Sequence, residues 1–371
     1  MKSQRILVFG MSSHFGGVES FIMNYYRNID HQKIQFDFLT YDEKPAYHEE
    51  IEALGGHIFV IPGRRKNFLK CIASLNQIFK EIAYSVVWSN LCYMSDLLVL
   101  ECAKRAKVPV RIIHAHNSMN MSSKLNGLLH MQNRRRIEKL ATDFWACSNI
   151  AGRFFYPEAI LHSNRYCVIN NAIDARLFTF DGNTRSRMRQ QLGLENRWVI
   201  GNVGRFHEQK NHLFLLDIFS ELHKKRPESF LLLVGDGERR NEITQKAAEL
   251  GLRDHLLMVG NRSDVYDLMQ MMDVFVLPSL YEGLGIVLIE AQAAGLKCFT
   301  SADTVPKEAQ VTDLLSYIPL QESAEYWAAE IVAGSSYTRE NQYEQIVKKG
   351  YDIRKQAQLL EAFFEKEGSS V

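Results

Sequence analysis

Short apolar runs alternate with helix-like amphipathic stretches along most of the 371-residue chain. This alternation predicts a parallel α/β architecture, because parallel strands need a crossover segment between them. One series of strand-like runs occupies the first half of the chain, and a second series begins at residue 198. The predicted strands span residues 6–9, 36–39, 57–61, 85–88, 111–114, 143–147, 167–169, 198–204, 230–234, 256–259, 274–277 and 297–300.

The segment between the two series, residues 174–194, is polar and irregular at first and then helical. We place the domain junction there. The division predicts two facing Rossmann-like domains with a cleft between them, the first over 1–175 and the second over 176–351. A long last helix is expected at about 343–367, and we expect the segment 352–371 to pack back on the first domain.

Composition is typical of a globular protein, with 46% hydrophobic and 11% aromatic residues. The net charge of +1 gives no indication of nucleic-acid binding. Basic residues outnumber acidic ones over residues 1–180, and the reverse holds for the rest. A basic half can face an anionic surface or substrate, although the same charge can simply aid solubility.

Six scattered cysteines without a Cys-x-x-Cys pair argue against a zinc site and a disulfide framework, and they fit a reducing compartment. The chain runs directly into a strand, and its first apolar stretch is too short for a signal-peptide core. No run approaches the roughly 18 apolar residues that a membrane span requires. We therefore expect a cytoplasmic protein whose membrane contact is peripheral, at the inner face of the membrane.

Every candidate motif follows a predicted strand, where ligands of α/β domains bind. Gly16 and Gly17 come after the first strand and just before a helix, so the backbone there can approach a ligand closely. The loop suits a phosphate, and a plain turn is the alternative. It is not Gly-x-Gly-x-x-Gly, so a dinucleotide dehydrogenase is not indicated.

Two histidines, His114 and His116, end another predicted strand. They could bind a metal, but no further ligand cluster is evident nearby. One of them could instead hydrogen-bond a substrate hydroxyl or steady positive charge through its carbonyl. A buried, satisfied histidine is the structural alternative.

Arg205 and Lys210 lie in the loop after the strand at 198–204, where a guanidinium and an ammonium can clamp an anion. A solvated basic loop is the alternative. The chain has no Asp-x-Asp motif, which many enzymes that use nucleotide sugars need to hold a divalent cation. The basic pair and a helix N-terminus can supply that positive charge instead.

Glu282 lies in a glycine-containing turn after the strand at 274–277, and Glu290 lies in the helix that follows. A turn that leads into a helix directs free N–H groups at one spot, where an anion is stabilised. A carboxylate on each side of that spot suits a ligand with phosphate in its middle and hydroxyls at both ends, such as a nucleotide sugar. Two solvated glutamates are the alternative.

Two basic clusters, residues 64–66 and 134–136, lie in the first half of the chain. A solvated helix face explains the second. Contact with anionic lipid or with a lipid-linked diphosphate is the functional alternative.

Gly16-Gly17, Arg205 with Lys210, and Glu282 with Glu290 together make the chain resemble the retaining glycosyltransferases of family 4, which have the GT-B fold. Two further matches are residues 170–174 (Asn-Asn-Ala-Ile-Asp) and residues 260–262 (Gly-Asn-Arg). Residues 290–295 and 305–308 are similar to the branch that builds bacterial capsular and exopolysaccharides. The resemblance spans nearly the whole chain.

The resemblance implies a role for each matching residue. Glu282 would hold the hydroxyls of the donor sugar and Glu290 those of the ribose, while Arg205 and Lys210 would neutralise the diphosphate. His114, or else His116, would lie near the anomeric carbon. The other positions that the resemblance assigns to the donor are the Gly16-Gly17 loop, Asn171, Arg262 beside the base, and the backbone of Gly283, Leu284 and Gly285.

Three positions depart from the family pattern. Gly285 and Lys297 stand where proline is frequent, and Ala172 replaces a usual glycine. Gly285 can loosen the turn after Glu282. Ala172 leaves the backbone geometry around it open.

The expected activity is transfer of a sugar from a nucleoside-diphosphate sugar, UDP-linked, to a hydroxyl of a polyprenyl-diphosphate-linked glycan. We expect neither metal nor cofactor, retention of anomeric configuration, and a basic first domain that binds the acceptor. Two alternatives are a catalytically silent relative that supports a partner transferase, and a GT-B sugar-nucleotide epimerase. The epimerase would need an acid/base pair that we do not identify.

Overall fold

A computed structural model describes residues 3–64, 66–117 and 124–368, which fall into two compact units. The first unit runs to Ala172 and resumes at Ile353, and the second covers Ile173–Asp352. Each contains one sheet, and all strand pairs in both sheets are parallel. The parallel α/β architecture predicted from the hydrophobic pattern is confirmed.

The first unit has a seven-stranded sheet. Its strands are β1 (Gln4–Phe9), β2 (Ile34–Thr40), β3 (His57–Val60), β4 (Val86–Leu91), β5 (Val110–Ala115), β6 (Asp143–Ala146) and β7 (Tyr166–Val168). Its helices are α1 (Gly17–Asn28), α2 (His48–Ala53), α3 (Phe68–Glu81), α4 (Leu98–Arg105), α5 (Lys124–Arg134), α6 (Asn149–Phe155) and α7 (Glu158–Leu161). The strand order is β3-β2-β1-β4-β5-β6-β7.

The second unit has a six-stranded sheet. Its helices are α8 (Ala175–Phe178), α9 (Gly182–Gln191), α10 (His212–Lys225), α11 (Arg240–Glu249), α12 (Val265–Met271), α13 (Ile286–Ala293), α14 (Ala324–Gly334) and α15 (Tyr343–Lys348). Its strands are β8 (Trp198–Val203), β9 (Ser229–Val234), β10 (Leu256–Met258), β11 (Val274–Leu277), β12 (Lys297–Ser301) and β13 (Leu315–Ile318). Helix α16 (Ile353–Gly368) then returns to the first unit. The strand order is β10-β9-β8-β11-β12-β13.

The central strands read as unbroken apolar runs because helices cover both faces of each sheet. In β4, Val86, Val87 and Trp88 are all fully buried although they point to alternate faces. The same holds for the whole of β11. This double burial is what made the strands visible in the sequence.

The C-terminal region differs from the prediction of one helix over 343–367. The chain leaves α15 at Lys348 and begins α16 at Ile353. Between them, the N–H of Ile173 donates to the carbonyl of Tyr351 at 2.9 Å. Gly350, with φ +79°, ends α15, and the N–H of Tyr351 donates back to the carbonyl of Ile346 at 3.0 Å. The pairing with Ile173 then holds the extended backbone before α16. Strand β13, half-buried at the sheet edge, was not predicted.

Helix α16 completes the core of the first unit. Phe364 is fully buried and its ring lies 6.1 to 6.2 Å from those of Phe36, Trp88 and Trp145. In the part of the chain that the structure describes, no helix combines the length and the apolar character needed to cross a bilayer.

We expect Phe364→Ala to lower the free energy of unfolding by about 3–5 kcal/mol, the usual cost of removing a buried phenylalanine ring. Leu359→Ala on the same helix is the matched control, because that side chain is 65% exposed. Chemical denaturation of both variants measures the difference. Equal stabilities would show that α16 does not contribute to the core.

Candidate functional site

The predicted second-unit residues lie at the point where the strand order of that sheet reverses. Strand β8 lies between β9 and β11, so the connections leave it in opposite directions. Ligands of such sheets bind in the crevice outside the carboxyl ends of the two strands at this reversal. The loops that follow β8 and β11 carry Arg205, Lys210 and Glu282.

Lys210 and Glu282 form an ion pair at this point. The Lys210 Nζ lies 2.7 Å from the Glu282 Oε1, and their side chains are only 16% and 6% exposed. The hydroxyl of Ser279 donates to the same oxygen at 2.7 Å. The other oxygen, Oε2, has only a long contact of 3.5 Å with the Gln209 amide. Oε2 therefore retains capacity to accept a hydrogen bond from a ligand.

The backbone around Glu282 is tied to two other loops. Its N–H donates to the carbonyl of Thr304 at 3.0 Å, and the Thr304 hydroxyl donates to the carbonyl of Ser279 at 2.6 Å. The N–H of Leu280 donates to the carbonyl of Gln209 at 2.8 Å. These bonds hold the turn after β11 against the loops after β8 and β12, so Glu282 is fixed in position.

Lys210 reaches Glu282 because its loop folds back over the end of β8. A short 3₁₀ helix, Glu208–Lys210, turns the chain, and Asn211 takes a left-handed conformation before α10 begins. The lysine stem then lies across Gly204, where an added Cβ would come within 3.1 Å of the Lys210 Cε. Glycine at 204 leaves the space that the stem occupies.

Glu290 lies on α13 beside the same lysine. It is partly exposed on one side and surrounded by protein on the others, and this desolvation raises the pKa of its carboxyl to about 7. The nearby Lys210 ammonium acts in the opposite direction. One cation is thus close to two carboxylates, and the second carboxylate titrates near neutral pH.

The turn between the two glutamates depends on Gly285. This residue has φ +75° and immediately precedes α13. Proline, which the resembling family often carries here, is fixed at φ of about −65° and could not adopt this backbone. Gly283 lies before it with open space at its Cβ position. The positive end of the α13 dipole and its first N–H groups lie at this turn.

A cavity of about 560 Å³ lies beside these loops, at the carboxyl ends of β8, β9 and β10. Both Arg205 and Arg262 line it. The Arg205 side chain is 72% exposed and pairs at 3.1 Å with the exposed Glu238. Arg262 makes a two-point ion pair with Asp264, at 2.7 and 2.6 Å. The structure therefore brings both predicted arginines to one cavity.

The first unit has a similar reversal of strand order at β1 and β4. The Gly16-Gly17 loop follows β1, and α1 begins at Gly17. One turn later, the Phe21 ring lies 5.0 Å from His114 and 4.9 Å from His116. The predicted glycine loop and both predicted histidines thus belong to one edge of this sheet.

His114 is fully buried in an aromatic cluster, with its ring stacked on that of Trp88 at 5.9 Å. Neither ring nitrogen makes a well-formed hydrogen bond within the described residues, and the backbone of Ala146 is the polar group beside the ring. Burial, reinforced by the neighbouring His116 ring, holds the pKa of His114 well below its usual range. In this conformation the side chain of His114 has no access to a surface ligand.

His116 is the one of the pair that reaches the surface. Its Nε2 lies 2.9 Å from Oδ1 of the buried Asn90. The Asn90 amide nitrogen donates to the carbonyl of Phe9 at 3.3 Å, which orients Oδ1 toward the histidine. His116 must therefore carry its proton on Nε2, and burial lowers its pKa to about 3. The ring is neutral at neutral pH.

The remaining predicted positions are dispersed. Asn171 is partly exposed in the last residues of the first unit, after β7. Of the basic cluster at 64–66, Arg65 lies outside the described residues. Within residues 3–64, 66–117 and 124–368, no three His, Cys, Asp or Glu side chains group closely enough to hold a metal ion.

Four residues that hold the predicted ones in place were not predicted: Asn90, Gln209, Ser279 and Thr304. Asn90 had a signal, since it is a polar residue at the end of an apolar strand. Gln209 and Ser279 adjoin the motifs but carry no pattern of their own. Thr304 acts through contacts with residues distant in sequence, which no local pattern reveals.

Comparison with known proteins identifies two family models along the chain. Residues 15–177 match the model described as Glycosyltransferase Family 4, and residues 184–330 match Glycosyl transferases group 1. The two matches correspond closely to the two units of the structure.

A relative from Bacillus subtilis strain 168, "Putative glycosyltransferase EpsF", is 36% identical over 93% of this chain and 92% of its own length. An Escherichia coli relative, "UDP-Gal:alpha-D-GlcNAc-diphosphoundecaprenol alpha-1,3-galactosyltransferase", is 28% identical over 63% of this chain and 62% of its own. The solved structure "Anabaena Alr3699/HepE in complex with UDP" superposes with a TM-score of 0.78 at 19% identity, covering 98% of this chain and 100% of its own.

The raised pKa of Glu290 predicts a pH dependence of stability. Between its ordinary pKa near 4.5 and about 7, the carboxyl is ionised in the unfolded chain but protonated in the folded one. The folded state then binds more protons, so its stability falls as pH rises through this window. Across this window the ionisation of Glu290 lowers the free energy of unfolding by an amount on the order of 1–3 kcal/mol, since one pKa unit corresponds to about 1.4 kcal/mol. We expect Glu290→Gln, which cannot ionise, to abolish this fall.

Denaturation of the wild type and of Glu290→Gln at several pH values between 5 and 7 measures this contribution. The exposed Glu330→Gln on α14 controls for the loss of a surface carboxylate. Parallel pH profiles for the wild type and Glu290→Gln would contradict the assignment.

Proposed function

This chain belongs to glycosyltransferase family 4, and on that basis we propose that it transfers a sugar from a UDP-linked donor to a hydroxyl of a lipid-linked glycan. The product would be an intermediate of bacterial capsular polysaccharide or exopolysaccharide. The observation that carries the proposal is the Lys210–Glu282 ion pair at the strand reversal of the second unit, with Glu290 beside it.

The donor is held by the second unit. The Lys210 ammonium and the Arg205 guanidinium bind the diphosphate, together with the N–H groups at the start of α13. The Oε2 of Glu282 accepts a sugar hydroxyl, and Glu290 accepts the ribose hydroxyls. The cavity lined by Arg205 and Arg262 holds the base. The E. coli relative named for UDP-Gal supports uridine as that base.

The reaction breaks the bond between the anomeric carbon and the diphosphate oxygen. Negative charge grows on the diphosphate while the sugar becomes oxocarbenium-like, and fixed cations stabilise this separation of charge. The acceptor oxygen bonds to the anomeric carbon on the side that the diphosphate leaves, and the leaving phosphate oxygen takes the acceptor proton. The configuration at the anomeric carbon is thereby retained.

Glu282 is suited to hydroxyl binding and not to nucleophilic attack. Its Oε1 already accepts hydrogen bonds from Lys210 and Ser279, and hydrogen bonds of this kind lower the nucleophilicity of a carboxylate. Of the other described carboxylates beside these loops, Glu290 is assigned to the ribose, while Glu238 and Asp264 are paired with Arg205 and Arg262. A front-face transfer without an enzyme nucleophile fits this arrangement.

His116 takes the role near the anomeric carbon that the resemblance offered to either histidine. It reaches the surface, whereas His114 is fully buried. Its neutral ring leaves Nδ1 as a hydrogen-bond acceptor, because the proton on Nε2 is directed at Asn90. A neutral acceptor can orient a sugar hydroxyl without adding positive charge beside the forming oxocarbenium.

The first unit binds the acceptor, since the donor groups lie in the second. A polyprenyl-diphosphate-linked sugar fits the excess of basic residues in this half of the chain. The E. coli relative is named for an acceptor of this class. Lysine and arginine replace a divalent cation on the diphosphate, so we propose that activity persists in the presence of a chelator.

Binding of donor is tested by thermal shift with UDP, GDP and their sugar conjugates, because a ligand that binds the folded state stabilises it. We expect uridine nucleotides to raise the melting temperature and guanosine nucleotides to leave it unchanged. Slow hydrolysis of the stabilising donor then separates an active transferase from a silent relative. Formation of an epimer without any acceptor would favour the epimerase instead.

We expect Arg205→Ala to reduce turnover about 100-fold or more with donor and acceptor saturating, the scale seen when one group that stabilises transition-state charge is removed. Its melting temperature should not change, because Arg205 pairs only with the exposed Glu238 among the described ion pairs. Lys225→Ala, on the exposed end of α10, is the control. Wild-type turnover in Arg205→Ala would show that the diphosphate assignment is wrong.

A further inference from the structure

Helix α5 exposes an apolar stripe. Leu125, Leu128 and Met131 are 64%, 58% and 51% exposed and recur at intervals of three, so they lie along one side of the helix. A surface helix of a globular protein normally turns its apolar side toward the core. The stripe on α5 points the other way and exposes three large side chains.

The start of α3 extends this apolar surface. Phe68 and Leu69 are 47% and 78% exposed. The Arg64 guanidinium lies 5.8 Å from the centre of the Phe68 ring. Across from them, Leu125 lines the same cavity of about 520 Å³ as Arg64 and Lys66. The exposed apolar groups of α3 and α5 therefore adjoin one cavity. We call this region the α3–α5 surface; it consists of Arg64, Lys66, Phe68, Leu69, Leu125, Leu128 and Met131.

Cations flank the α3–α5 surface at both ends. Lys66 and Lys70 are exposed near α3, and Arg135 and Arg136 are exposed beyond the last turn of α5. Two acidic residues also line the cavity, and one of them, Asp96, pairs with Arg64 at 3.3 Å. Arg136 pairs with Glu101. The exposed charges at the rim are thus mainly basic, with the apolar side chains between them.

We propose that the α3–α5 surface seats this protein on an anionic membrane. Basic residues that border exposed apolar side chains match a bilayer surface, where anionic headgroups overlie acyl chains. Leu69, Leu125, Leu128 and Met131 enter the boundary region, and Lys66, Lys70 and Arg135 contact headgroups. The inference rests on the proposed function, because a polyprenyl-linked acceptor is confined to a membrane.

The charge pattern favours lipid over a second copy of this chain. A twofold interface would bring each basic rim against the same rim of its mate, and like charges at close range repel. An anionic lipid surface complements both rims at once. The attraction between basic residues and such a surface weakens as salt screens it.

Sedimentation with vesicles tests the proposal. The full chain is mixed with vesicles of phosphatidylglycerol and phosphatidylcholine in equal parts, or with pure phosphatidylcholine. We expect binding to the anionic vesicles only, and release as salt is raised. The triple variant Leu125→Ser, Leu128→Ser, Met131→Ser should lose binding about tenfold or more, while its melting temperature stays that of the wild type because all three positions are exposed.

Two further variants separate the contributions. Lys66→Glu with Arg135→Glu should weaken binding and flatten its salt dependence. Leu359→Ser is the matched control, since Leu359 is also an exposed apolar side chain, 65% exposed, in the first unit. It should bind vesicles like the wild type. Equal binding by the triple variant and Leu359→Ser would overturn the proposal, as would failure of the wild type to bind anionic vesicles.

Light scattering and donor hydrolysis distinguish the other outcomes. A wild-type dimer that the triple variant converts to a monomer would make this face an interface between copies, and the membrane proposal would fall. Donor hydrolysis without vesicles tests the proposed function by itself. A protein that hydrolyses donor but ignores anionic vesicles contradicts only the membrane inference, whereas vesicle binding without any donor binding contradicts only the transferase assignment.

Discussion

The ion pair between Lys210 and Glu282 is the interaction on which the donor-side geometry depends. It joins the loops after β8 and β11, where the strand order reverses. Oε1 of Glu282 also accepts a hydrogen bond from the hydroxyl of Ser279. At 16% and 6% exposure the two charges are largely removed from water, so each requires the other. Because the ion pair occupies Oε1 of Glu282, the groups that remain to hydrogen-bond a ligand are Oε2 of Glu282 and the carboxyl of Glu290.

The strands and the motifs could be predicted from the sequence because both depend on local patterns. Doubly buried strands such as β4 and β11 are continuous apolar runs, and glycines, arginines and glutamates at their ends are visible by position. Edge strand β13 is only half-buried and lacks that signal. The break between α15 and α16 follows Gly350, a helix-ending signal that the sequence does carry, whereas the support of Glu282 by Thr304 joins distant loops. The contact between Glu282 and Thr304 leaves no local pattern.

The histidines show the same limit at the level of single side chains. His114 and His116 are two apart on one strand, and in sequence they are equivalent candidates. The alternation of side chains along a strand would place both histidines on the same face, but β5 ends at Ala115, between them. His114 stacks on Trp88 inside the core, while His116 lies beyond the end of the strand and contacts Asn90. The exposed fractions of His114 and His116 therefore differ because of the side chains packed around each, which the sequence does not show.

The return of α16 to the first unit has a consequence for synthesis of the chain. The second unit is continuous, from Ile173 to Asp352, whereas the first unit includes a helix that follows the second unit in the chain. On the ribosome, the second unit can fold as soon as it emerges, as domains generally do during translation. The contacts of Phe364 with Trp88 and Trp145 cannot form until α16 has been made, although the rest of the first unit is made first. The core of the first unit is therefore completed only after the whole second unit has been synthesised.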